Sequence, residues 1–195
     1  MEKKQVEKRL RLVVIGGSSG SLDALFMILP ALKPHFNIPI LLVLHRGQTP
    51  DNSLVELLAA KSSLQVKEAD EKEMLRAGWM YVAPADYHLL LEKDGSVSLD
   101  ASEKVHYCRP SIEVSFISAA AAYKKNCIAI LLSGANADGA RAMTTIKENG
   151  GLNIVQDPDE AWVGFMPGQA ILLSPIDHIL PAKEIAALLN KLSEE

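Results

Sequence analysis

The sequence predicts one α/β domain: a doubly wound, mostly parallel sheet flanked by helices, with an antiparallel β-hairpin excursion in its middle. Three observations carry that prediction. The runs Leu12–Ile15, Pro39–Leu44 and Cys127–Leu132 are apolar without alternation, as strands buried on both faces are. Each leads through a short turn or glycine-bounded loop into a helix signal, the β-turn-α rhythm of right-handed crossovers. Asp94-Gly95 stands between two short strand-like runs, the signal of a two-residue hairpin.

Residues 1–11 form a polar lead-in. After the first strand, Gly16 to Ser21 reads GGSSGS, a tight turn. Leu22, Leu25, Phe26, Ile28, Leu29 and Leu32 then recur at helical spacing, and Pro34 is expected to end that helix. The second strand meets His45-Arg46-Gly47, and Thr49-Pro50-Asp51 opens a helix carrying Leu54, Leu57 and Leu58. Residues 65–68 and 79–83 read as short strands, as do 89–92 and 97–99 around Asp94-Gly95. Ser111 is a plausible N-cap for a helix running to about Tyr123. The loop Ser133–Gly139 follows the third buried strand and precedes a helix to about Glu148, which Asn149-Gly150-Gly151 closes. Residues 152–155 are a further strand. A loop punctuated by Pro158 and Pro167 leads to a short helix, a strand over 176–180 and a last helix over 182–192.

Composition excludes several functions. The 195 residues carry 20 Lys+Arg against 24 Asp+Glu, a net charge of −4, so there is no basic footprint for nucleic acid and no polybasic membrane patch. No apolar run approaches the roughly 20 residues that span a bilayer. The N-terminus MEKKQVEKRLR has no apolar core of a secretory signal, so a cytoplasmic protein without direct membrane insertion is expected. Cys108 and Cys127 form no CxxC and no His/Cys cluster by spacing, so neither a disulfide framework nor a zinc site is expected.

Ligands of parallel α/β sheets bind beyond the carboxyl ends of the strands. Ser18 and Ser19 follow the first strand, His45 follows the second, and Asp138 follows the Cys127–Leu132 strand after a glycine-rich loop. A serine hydroxyl is a poor nucleophile until an imidazole takes its proton and an acid orients that imidazole, so these residues are candidates for a Ser18-His45-Asp138 triad. Each has a plainer reading alone: a turn serine, a satisfied histidine, an aspartate N-cap. Gly16-Gly17 and the 134–137 loop could expose backbone N–H groups to a developing oxyanion, with Ser19 among the candidates. A dinucleotide fingerprint would need glycines at 18 and 21, where serines stand, and no GxxxxGK[ST] exists. Arg109 could bring a guanidinium to the strand ends to bind a carboxylate, or be a surface residue. Met166, in the Gly164–Gly168 segment, is a candidate pocket wall, or part of an ordinary turn. His88, His106, His178 and His35 are expected to be structural or solvated.

The motifs VVIGGSSGSLDAL, LLVLHRG, MYVAPADYHLLL, CRPSIEVSF, ILLSGANADGARAM and GFMPGQAI, in this order, resemble the catalytic domain of the CheB family of chemotaxis methylesterases. The resemblance covers residues 12–193. It implies a serine esterase that hydrolyses γ-glutamyl methyl esters on chemoreceptor-like helical proteins, or deamidates glutamine there, with no cofactor and no metal. It implies Ser18 as nucleophile, His45 as base and then acid, and Asp138 as its orienter. Ala135 stands at the family's methionine and becomes an oxyanion candidate. Ala135-Asn136-Ala137 replaces Met-Gly-Asn, which motivates an alternative, a degenerate domain that binds a signalling partner. A serine hydrolase with another substrate is a third reading. Well-known members carry an N-terminal receiver domain, and only eleven residues precede the first strand here. The sequence is therefore expected to be either a stand-alone esterase domain, constitutive or regulated by a receiver domain in trans, or part of a larger protein.

Overall fold

The computed structural model describes residues 11–47 and 53–195. At its centre lies β1 (Leu12–Gly17), every residue of which is buried. It pairs in parallel with β2 (Ile40–Leu44) on one side and β7 (Cys127–Leu131) on the other. Beyond β2 come β4 (Trp79–Val82) and the edge strand β3 (Gln65–Glu68). Beyond β7 come β8 (Leu152–Gln156) and β9 (His178–Leu180). All seven strands are parallel, in the order β3-β4-β2-β1-β7-β8-β9. The chain winds outward from β1 in one direction and from β7 in the other, which puts the topological switch point between them.

The apolar residues of β1 divide between two cores. Val13 and Ile15 pack with α1 (Ser21–Ile28), Leu58 of α2 (Ser53–Ala59) and α6 (Ala182–Ser193). Leu12 and Val14 pack with α3 (Ile112–Tyr123), α4 (Ala142–Glu148) and α5 (Phe165–Leu173) on the opposite face. A strand covered on both faces has no polar side to show, which is why these runs do not alternate. Each fully buried Leu, Ile or Val contributes roughly 1.5–3 kcal/mol over leaving it exposed. A separate antiparallel pair, β5 (His88–Leu91) and β6 (Val97–Asp100), joins the α3 side of the core through Leu89, Leu91 and Val97.

Three local expectations are corrected. The first helix ends at Ile28 and tightens into a 3₁₀ turn over Leu29–Ala31, well before Pro34. Pro30 is the cause, since it lacks an N–H and its ring would crowd the carbonyl four residues earlier. Pro167 lies within the first turn of α5, where a missing N–H costs nothing, and not in the preceding loop. The hairpin closes through Glu92 N donating to Ser96 O at 2.9 Å, so its loop has three residues, with Gly95 at φ 91°. The expected helix start at Thr49-Pro50-Asp51 lies outside the described residues.

Candidate active site

Strand register brings the site together. Gly17 pairs with Leu44 and Gly16 with Leu131, so the next residues of β1 and β2, Ser18 and His45, emerge side by side. The ladder continues past the strands: His45 N donates to Gly17 O at 3.2 Å, Leu132 N to Gly16 O at 2.9 Å, and Ser18 N to Ser133 O at 2.9 Å. The start of α3 is seated on the same point. A Cβ on Gly16 or on Gly139 would lie 2.4 Å from Ile112 Cγ2, so only glycine at both positions lets Ile112 settle there.

That seating delivers the N-terminus of α3 to Asp138. Asp138 is 1% exposed. Its Oδ2 accepts from His45 Nε2 at 2.7 Å and from Ile112 N at 2.7 Å; its Oδ1 accepts from Ser111 Oγ at 3.0 Å and Glu113 N at 3.1 Å. Burial alone would raise its pKa. The hydrogen bonds from His45, Ile112 and Glu113 outweigh burial and hold the carboxyl below its ordinary value. Asp138 therefore does not cap its own helix, for which Arg141 stands at the N-cap of α4. It receives the orphan N–H groups of another helix, whose own N-cap is Ser111 as expected.

An ionised carboxylate only accepts, so Nε2 of His45 carries the hydrogen and Nδ1 of the neutral ring presents its lone pair. Cys108 Sγ lies 3.6 Å from that Nδ1 and Asn136 Nδ2 lies 3.4 Å from it. Burial and the nearby Asp138 charge push the Cys108 thiol above its ordinary pKa, against a hydrogen bond from Asn136. Ser18 and His45 both line a cleft of about 550 Å³. No hydrogen bond joins Ser18 Oγ to His45 among the described residues. Catalytic hydrogen bonds are often unmade before substrate binds.

The N–H groups of Ser19 and Ala135 have no protein acceptor among the described residues, and both residues are exposed. Ser133 links their two loops: its Oγ donates to Ser19 O at 2.7 Å and accepts from Val163 N at 2.9 Å, while its N–H donates to Gln156 Oε1 at 2.9 Å. The Arg109 guanidinium is engaged within the chain, by Asp86 Oδ1 at 2.8 and 3.1 Å and by the carbonyls of Ala101 and Ser102. Met166 is fully buried; a Cβ on Gly134 would lie 2.6 Å from its Cε, and Met166 N donates to Gly134 O at 2.9 Å. Arg46, next to His45, pairs with Glu68, while its buried Nη1 has no partner among the described residues. His88 is satisfied, accepting from Ser111 N at Nδ1 and bonding Glu103 O through Nε2.

Spacing along the chain did not reveal the surroundings of His45. His45, Cys108 and Asp138 each offer a metal-type ligand atom, all within 4.8 Å of one another, which corrects the expectation that neither cysteine belongs to a His/Cys cluster. Positions 45, 108 and 138 converge only through folding. Asn136 was visible as an altered loop residue, with nothing in the sequence to aim it at His45.

Residues 13–189 match the family model of the CheB methylesterase. A Leptospira interrogans protein bearing the provisional name protein-glutamate methylesterase/protein-glutamine glutaminase is 43% identical over 182 residues, 93% of this chain and 94% of that protein. A protein-glutamate methylesterase/protein-glutamine glutaminase of Nitrosospira multiformis is 37% identical, over 95% of this chain and 52% of its own length. The chain thus spans about half of that longer relative. The crystal structure of the Thermotoga maritima CheB methylesterase catalytic domain superposes with a TM-score of 0.89 at 36% identity, covering 94% of this chain and 98% of that one. Sequence and fold agree, and the chain belongs to the CheB methylesterase family.

Proposed function

We propose that this chain is a serine esterase that hydrolyses γ-methyl esters of glutamate on a helical, chemoreceptor-like protein in the cytoplasm, and deamidates glutamine there by the same route. The observation that carries this reading is the buried Asp138 carboxylate on Nε2 of His45, a residue that lines the same cleft as Ser18. In the neutral ring this tautomer leaves the Nδ1 lone pair to accept a proton. Ser18 Oγ attacks the ester carbonyl as His45 Nδ1 takes its proton. The oxyanion lies against the unpartnered N–H groups of Ser19 and Ala135. The C–O bond to the methoxy group breaks, and methanol leaves with the proton from His45. Water, losing a proton to the same nitrogen, then cleaves the glutamyl-enzyme and frees Ser18. For glutamine the leaving group is ammonia.

Arg109 and Met166 serve this cleft indirectly, by fixing the 101–109 segment and the 134–138 loop. Exposed Leu57, Tyr107 and Trp162 offer apolar contact for a protein substrate, as a helix presenting the modified side chain requires. The experiment is methanol release from a methylated receptor fragment. The wild type is expected to release it and Ser18→Ala to release none while remaining folded; turnover retained in that variant ends the reading.

A second reading, a binding module without turnover, draws on the unmade Ser18–His45 bond and the Ala135-Asn136-Ala137 loop. Serine-dependent hydrolysis of a generic activated ester removes it.

A further inference from the structure

We propose that His45 Nδ1 and Cys108 Sγ form an inhibitory binding site for a borderline-soft divalent cation of the zinc type. Zinc takes nitrogen at about 2.0–2.1 Å and thiolate sulfur at about 2.3 Å, and a tetrahedral angle between such bonds separates the two ligand atoms by about 3.6 Å. The structure holds Nδ1 and Sγ at 3.6 Å. The two ligand atoms thus stand at the separation that a shared ion requires. The ion would take the place of the Cys108 S–H and would share Nδ1 with the Asn136 amide now 3.4 Å from it.

The surroundings are those of a metal-binding histidine. Such a ring donates its other N–H to a carboxylate, which fixes the tautomer and makes the free nitrogen more basic. Asp138 Oδ2 takes that role on Nε2 at 2.7 Å. The thiolate formed on binding also has its donor. Asn136 Nδ2 lies 3.5 Å from Cys108 Sγ, and the amide is oriented by Asp138 N donating to Asn136 Oδ1 at 3.1 Å. His45 and Cys108 line a second cleft of about 310 Å³ together with Arg46, Lys104 and Arg109. Glu68 and Asp86 neutralise the two arginines, and the cleft has room for the ion with water in its remaining positions.

Binding is a proton exchange without redox change. The Cys108 S–H loses its proton to solvent as the S–metal bond forms, and His45 contributes its Nδ1 lone pair while keeping its Nε2 hydrogen. One proton is released per ion. The occupied lone pair cannot accept the proton of Ser18, so the ion stops acylation. That inhibitory consequence rests on His45 being the general base; the binding site itself does not.

The test uses the whole chain, reduced by a phosphine, with Co²⁺ and Zn²⁺ as probes. Co²⁺ is expected to give a thiolate-to-metal charge-transfer band that Zn²⁺ displaces and that Cys108→Ser abolishes. Asn136→Ala is expected to keep the band but to weaken Co²⁺ binding by roughly 10-fold, as loss of a supporting hydrogen bond does. Zn²⁺ is expected to stop hydrolysis of an activated ester by the wild type reversibly with chelator, and to leave Cys108→Ser active. A missing band in the wild type, or one that survives in Cys108→Ser, overturns the site. A Cys108-dependent band in a protein that turns over no ester leaves the site standing and ends the esterase reading. Ester turnover that Zn²⁺ does not affect despite a Cys108-dependent band overturns the inhibition.

Discussion

His45 and Asp138, 93 residues apart, meet at 2.7 Å through a carboxylate that also accepts three hydrogen bonds from the start of α3. The acid is therefore held by a helix terminus before it holds the imidazole. Changes at either residue test fold and chemistry together.

Asp138→Asn should lower ester turnover by roughly 10³–10⁴-fold, since an amide in place of the carboxylate disturbs the tautomer that leaves Nδ1 free. The same change should destabilise the domain by about 1–3 kcal/mol, because the N–H donors at Ile112 and Glu113 lose a charged acceptor. Steady-state kinetics and urea unfolding of one preparation measure both.

The depressed pKa of Asp138 fixes a pH dependence. A carboxyl whose folded pKa lies below its unfolded value stabilises the fold above the unfolded value, and that stabilisation is lost as pH falls through the folded one. The stability gap between wild type and Asp138→Asn should therefore be full near neutrality and narrow as pH drops below the ordinary aspartate range. Urea midpoints across an acid series read it; a gap that widens toward acid contradicts the assigned direction.

Gly16→Ala should destabilise by about 1–3 kcal/mol, because its Cβ would lie 2.4 Å from Ile112 Cγ2. Combining it with Ile112→Ala should recover part of the loss, and a double-mutant cycle by chemical denaturation gives the coupling.

Trp162→Ala should raise KM for a methylated receptor fragment several-fold while leaving turnover of a small activated ester nearly unchanged. Trp162 is 79% exposed and packs beside Gly20, two residues from Ser18. Equal losses on both substrates would mean that the tryptophan supports the serine turn and does not contact the protein substrate.

The sheet was legible because its strands are covered on both faces: burial of β1, β2 and β7 leaves short unbroken apolar runs, and their length and the turn signals after them mark them as strands. The strand-end positions of Ser18, His45 and Asp138 followed from the same runs. Pro30 was passed over because the apolar period continues through it to Leu32, and backbone chemistry prevailed over pattern. The surroundings of His45 were hidden for a different reason. Cys108 and Asn136 come from a loop and a turn whose positions depend on packing, and no periodicity links positions 45, 108 and 136. The hold of α3 on Asp138 was equally invisible, since Ser111 announces a helix start without saying what that start will face.

Ser133 gives the serine turn a remote handle. Through one hydroxyl and one amide it moors Ser19 to Val163 and, by way of Gln156, to the end of β8. Variation at Gln156 or Val163 can thus shift the pose of Ser18 while Ser18, His45, Asp138 and Trp162 all stay the same, so related chains can diverge in rate with identical strand-end residues.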